Sequence, residues 1–195
     1  RKYVNKGIAT NPSYILYAMA SELLEKEFRI PDAEKMCLKA IEMAESEGKD
    51  SGTLKIKLFL LNLEMGENQK AINISNGLLD IYYDNPDLYF NVGVLYQRLA
   101  TKLYDEAAVL YKLFNASSEF DESLISIKKM YKEFVQAMNY AQKSKENFLE
   151  ANDLEIEDTG SREAAAEMRR LVRQIKDIYI PSIQEIAESK GINLN

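Results

Sequence analysis

The chain has 195 residues, of which 46% are apolar and 29% charged, with a net charge of −6 and an isoelectric point near 5.0. That length suits one domain or one elongated array with a sizeable core, and the acidic balance argues against nucleic acid, whose binders carry a concentrated basic face. With no histidine and a single cysteine, Cys37, the chain lacks the commonest general base and transition-metal ligand, forms no internal disulfide and builds no thiolate zinc cluster.

No apolar run approaches the roughly 20 residues that a membrane span requires, so insertion into a bilayer is not expected. The sequence begins at Arg1 with neither an initiator Met nor a signal-peptide pattern, and reads as a fragment or processed form. The compartment therefore stays open.

Few breakers interrupt the chain, and strand signals are absent. Pro12, Pro31, Pro86 and Pro181 each precede or open a helical apolar pattern, where a missing N–H costs little. Gly48, Gly52, Gly66 and Gly160 lie between such patterns. The expected helices cover about residues 12–27, 31–47, 51–65, 68–84, 86–116, 120–156, 161–179 and 181–190. The predicted fold class is all-α, an antiparallel helix-pair array with one elongated helical hairpin.

Within the fifth element, Tyr89, Val92-Gly93 and Tyr96 set a large aromatic, an aliphatic–small pair and a second aromatic on the face that meets a partner helix. Tyr17, Ala20, Ser21 and Leu24 share that spacing, followed by Ala33, Cys37 and Ala40. Leu58, Gly66, Ala71 and Leu78 repeat it, with departures at Phe59 and Asn62. Ser144, Phe148 and Ala151 fit the partner helix of the third copy.

Self-similarity near 34 residues is the mark of a solenoid, because one helix pair cannot bury its apolar face alone. These segments resemble tetratricopeptide repeats. The resemblance divides the chain into the tail of a preceding repeat (1–12), pairs at 12–47 and 51–84, an elongated third pair at 86–156 and a C-terminal pair or cap at 160–195. It puts Gly93 at a close helix crossing and Cys37 where the family buries a side chain between paired helices. That favours a structural thiol over a reactive one.

Tyr96 and Ser144 stand far wider apart than the family spacing. The intervening residues are not a loop pattern. Tyr89, Val92, Tyr96, Leu99, Leu103, Ala107, Leu110 and Phe114 recur at three- or four-residue steps, as do Phe120, Leu124, Ile127, Tyr131, Phe134, Met138 and Ala141. Such spacing makes a narrow seam like that of a coiled coil, with Asn115-Ala116-Ser117-Ser118 as turn and N-cap. Both helices of the third pair are thus expected to grow outward as a hairpin whose seam is satellite to the main core and whose tip, near 112–122, is dispensable for folding.

No phosphate loop, nucleophile elbow, triad or metal-ligand cluster is present, so no enzymatic activity and no cofactor is expected. In the segment Arg169–Lys176, the residues Arg169, Arg170, Arg173 and Lys176 have two readings: a solvated face, or a docking site for an acidic partner.

The resemblance implies a scaffold or adaptor in which the first helices of successive pairs line a groove for a protein or peptide segment. Carried over by position, the lining is Ile15, Ala18, Glu22 and Lys26, then Ile56, Leu60, Leu63 and Glu64, then Phe90, Val94, Gln97 and Arg98. The candidate binding residues are Ile56, Leu60, Leu63, Phe90, Val94, Gln97 and Arg98. Because Ala18, Ile56, Leu60 and Val94 occupy several positions where a carboxylate clamp needs polar groups, an apolar segment is the expected occupant, with Leu60, Phe90 and Val94 as a partly accessible patch. The alternatives are self-association or assembly through the long hairpin, giving a homo-oligomer, and last an α-helical carrier of a small ligand.

Overall fold

A computed structural model describes residues 2–116, 123–155 and 159–194. The expected N-cap at Ser117-Ser118 and the seam residue Phe120 lie outside these, as does the side chain of Leu124. The described residues form helices joined by short turns, without a strand: α1 (Lys2–Thr10), α2 (Tyr14–Lys26), α3 (Ile30–Ser46), α4 (Gly52–Met65), α5 (Asn68–Leu79), α6 (Pro86–Ala116), α7 (Ser123–Leu154), α8 (Thr159–Gln174), a π-helical turn (Ile175–Tyr179) and α9 (Ile180–Ser189). They form two compact units, residues 1–84 and 85–195.

Local chemistry sets the helix ends. The Ser13 hydroxyl accepts the Leu16 N–H at the start of α2, and the Asn85 side chain accepts the Leu88 N–H at the start of α6; each satisfies an orphan donor of a first turn. Gly66 ends α4 at φ 73°, a left-handed conformation that costs glycine little.

In the first unit α2 and α4 both pack on α3. Leu24, Ile30, Ala33, Cys37, Ile41, Leu58 and Leu61 make its core. Where α2 crosses α3, the buried Ser21 hydroxyl donates to the Ala33 carbonyl at 2.9 Å. Phe59 and Asn62, which break the repeat pattern, are both buried. Asn62 donates its amide N–H to the Leu58 carbonyl at 2.9 Å, while its Oδ1 is buried without a hydrogen-bond partner among the described residues.

In the second unit α6 and α7 run antiparallel. Going outward along α6, Gly93 faces Ser144 and Phe148, Tyr96 stacks with Tyr140, and Tyr104 meets the edge of Phe134. The close crossing falls at Gly93. A Cβ there would come within 2.7 Å of the Phe148 ring, and the Ser144 hydroxyl donates to the Gly93 carbonyl at 2.8 Å.

Two expectations are corrected here. The outer hairpin seam is not a satellite. Ala107, Ala108, Ile127, Met130, Phe134 and Ala137 share one buried cluster with Ile175, Ile183 and Ala187 from the C-terminal segment. Ile192 and Leu194 also pack against it, just beyond the turn at Gly191. The hairpin therefore holds the core over which α9 lies, because two seams at three–four spacing still leave an apolar side that a third helix can cover.

Pro181, in turn, does not begin a separate helix. Backbone angles stay in the right-handed helical region at Gln174, Tyr179 and Ile180. Proline lacks an N–H for the carbonyl of Asp177 and its ring crowds that carbonyl. The widened turn, with Ile180 N–H donating to Ile175, makes room without stopping the helix.

Two substitutions check this packing. Gly93→Leu should overpack the crossing and destabilise by about 1–3 kcal/mol in thermal melts, and shrinking the ring with Phe148→Leu should restore part of the loss for Gly93→Ala. Ile183→Ala should cost about 2–5 kcal/mol, read as faster amide exchange in the outer halves of α6 and α7 with α3 unchanged.

Candidate functional site

The groove residues divide between the units. In the first, Ile15 is 55% exposed, Ile56 and Leu60 are half-buried, and Leu63 is a core side chain at 5% exposure. The Glu25 carboxylate and the Lys57 ammonium join α2 to α4 over this face in a close ion pair. Leu63 thus offers nothing to a partner, while Ile56 and Leu60 present part of their surface.

In the second unit Phe90 and Val94 are half-buried. Both pack on the cluster formed by Ala100, Ala141, Phe148, Ala165 and Met168, and the Phe90 ring lies 5.5 Å from that of Phe148. The expected apolar patch is therefore drawn inward here. α8 lies along α7, and its Ala165 and Met168 claim the apolar side of α6. Phe90 helps to hold the crossing at Gly93 as well as facing outward.

Gln97 and Arg98 come together in an open cleft of about 710 Å³ with Thr101, Lys102, Asp105, Glu106 and Glu167. The Gln97 amide donates to Glu167 across the cleft at 3.3 Å. A smaller recess continues from it past Tyr104, Arg170 and Gln174. At that end the Gln174 amide donates to the Tyr104 hydroxyl at 2.8 Å. That hydroxyl is also 3.2 Å from the hydroxyl of Tyr179. Burial, and then the bond to Tyr179, push the Tyr104 phenol up to about 12, so it stays a neutral hydrogen-bonding group.

The repeat register named Gln97 and Arg98, which the structure brings to this cleft. It missed Thr101, Lys102 and Asp105, one turn further along α6, and Glu167 opposite. Their signal was present in the three–four spacing from Gln97 and Arg98, but the α8 wall required knowing how that helix lies.

The arrangement offers hydrogen bonds and charges of both signs over an open surface. No group of three or more His, Cys, Asp or Glu among the described residues could hold a metal ion, and no helix there is long and apolar enough to cross a membrane. A scan against protein-family models finds no match, and no curated protein matches the sequence.

Cys37 is fully buried, with its thiol donating to the Leu54 carbonyl at 3.3 Å. Burial pushes its pKa from 9.0 up to about 11. A buried thiol of that pKa is a poor nucleophile, so it should resist thiol reagents until the protein unfolds. The raised value also means that folding favours the protonated form. Its contribution is intact below 9.0 and is lost as pH rises toward about 11. Denaturant midpoints of the parent protein should accordingly fall across that window, and those of Cys37→Ala should fall less.

Proposed function

We propose that this protein is a tetratricopeptide-like scaffold that holds a segment of another protein against the flanking helices of its helix pairs. The observation that carries the reading is the cleft between α6 and α8. These two helices flank α7, share the apolar cluster beneath, and are joined over the cleft by polar contacts at Gln97–Glu167 and Tyr104–Gln174. α2 and α4 flank α3 in the same manner, with the Glu25–Lys57 pair between them. A middle helix that supplies the packing, and two outer helices that supply a lined surface, is an arrangement for presenting side chains along a length of chain rather than for enclosing a small molecule.

Binding in the cleft of the second unit rests on Gln97, Arg98, Thr101, Lys102, Asp105 and Glu167; on the first unit, taken by itself, Ile56 and Leu60 are the accessible apolar residues. Hydrogen bonds and mixed charge there select register and partner more than they add affinity. A photo-crosslinking residue placed at Thr101 should capture one protein, reproducibly at one segment, while the same residue at the exposed Tyr3 should not. The capture should weaken when Lys102→Glu and Glu167→Lys reverse the cleft charges. The same products at both positions, or none at Thr101, would remove the cleft as the binding surface.

Val109 and Leu113, 56% and 51% exposed and one turn apart on α6, favour a second reading, self-association through the hairpin. Light scattering would then give the mass of two chains, lost in Val109→Glu.

A further inference from the structure

We propose that α8 carries a second docking surface, distinct from the cleft, for an acidic α-helical segment of another protein. Arg162, Arg169, Arg173 and Lys176 follow one another at steps of seven, four and three residues. At 100° per residue the three arginines fall within about 40° of one another, and Lys176 extends the row by a turn. All four are exposed, and no side-chain hydrogen bond or salt bridge ties them to another described residue. In a chain of net charge −6, these four cations, with the exposed Asp177 as the one acidic residue at their C-terminal end, leave a net positive row whose potential a complementary anion would relieve.

The row lies on the flank of α8 turned away from the cleft. Glu167, Leu171 and Gln174 point into the cleft and the recess beyond it, and Glu163 shares that side by helical phase. Ala166 and Val172 are half-buried beside the cations. Val172 packs on the cluster of Phe148, Ala165 and Met168. The surface is thus a row of positive charge with one half-buried apolar residue on either side, of which Val172 joins the core beneath.

The spacing selects the occupant. The row follows the pitch of α8 over about 21 Å. A second helix laid alongside presents carboxylates at the same pitch, in the way charged flanking positions pair across two-stranded coiled coils. An extended strand repeats its same-side residues at about 6.8 Å and falls out of step. A nucleic acid strand or an anionic bilayer brings a continuous field of negative charge, which also meets Glu163 and Glu167 on the neighbouring face. A short acidic helix laid along residues 162–176 meets the cations over most of its length, with only Asp177 at the far end, and places small apolar residues against Ala166 and Val172.

The test uses the full chain and a fluorescein-labelled peptide designed as a helix, with glutamates at steps matching the row and leucine or alanine between them. Anisotropy should report saturable binding that weakens with added salt. Arg169→Glu/Arg173→Glu should lower the affinity about tenfold or more. The same variant should bind a peptide carrying lysine in place of glutamate better than the parent chain does, an exchange that mere loss of folding could not produce. Unchanged circular dichroism of the double variant keeps the comparison valid. Equal binding of a scrambled peptide, no binding of the acidic helix, or tighter binding of single-stranded oligo-dT or of phosphatidylserine vesicles would overturn the assignment.

Discussion

The Phe148 ring occupies the space where residue 93 has no side chain, and the second unit is arranged around that contact. With the ring against Gly93 and the Ser144 hydroxyl on the Gly93 carbonyl, the α6–α7 register is set at one point by both shape and a buried hydrogen bond. Interiors packed at crystal-like density tolerate little slippage, so the pairs further out, Tyr96 with Tyr140 and Tyr104 with Phe134, follow from it. The same ring also supports Ala165 and Met168 of α8. The wall of the cleft is thus positioned by a residue that never reaches the surface.

A second constraint closes the outer hairpin. Tyr179 stacks on Phe134 at 4.5 Å and meets Tyr104 and Tyr111 edge-on. It sits in the π-helical turn, which inserts extra backbone just before Pro181. That turn lets one chain segment serve two cores: α8 packs beside Phe148, and α9 puts Ile183 and Ala187 over Ile127 and Met130. A regular α-helix with proline at this point would clash or break, and its downstream apolar stripe would meet the hairpin at another angle.

What the sequence revealed was what local spacing encodes. The helical class follows from periodicity; the small residue needed at Gly93 and the buried position of Cys37 were what the repeat resemblance implied, and both are found so. The coverage of the seam was illegible, since a narrow apolar stripe looks alike whether it stands alone or waits for a third helix. Pro181 misled because proline usually starts a helix, and only the π turn lets it lie within one. Gly52 stands among the glycines between apolar patterns and also within the expected helix 51–65. It is in fact the first residue of α4, with the Tyr82 side chain filling the place of a Cβ, a tertiary contact between distant positions. For the candidate site, Phe90 and Val94 were placed on the right helix, but their partial burial depends on α8. Gln97 and Arg98 reach the surface because α8 offers Glu167 opposite them rather than another apolar residue.

The charge on α8 shows how one helix can separate two tasks. Its buried side, with Ser161, Ala165 and Met168, is narrow and uses small or unbranched residues that let α7 approach. That leaves two wide flanks. On the cleft flank Glu167 and Arg170 alternate in sign, and Glu167 is engaged by Gln97, so the field there is local and orients whatever lies beside it. On the opposite flank the charges are net positive, with Asp177 at the C-terminal end, and no ion pair among the described residues engages the arginines there, so their fields add and reach outward to about the screening length of the solution. A surface of the first kind discriminates after contact; one of the second kind draws an oppositely charged partner before contact. The two flanks diverge because the core stripe of α8 is confined to few positions, leaving the remaining ones free to differ without cost to the fold.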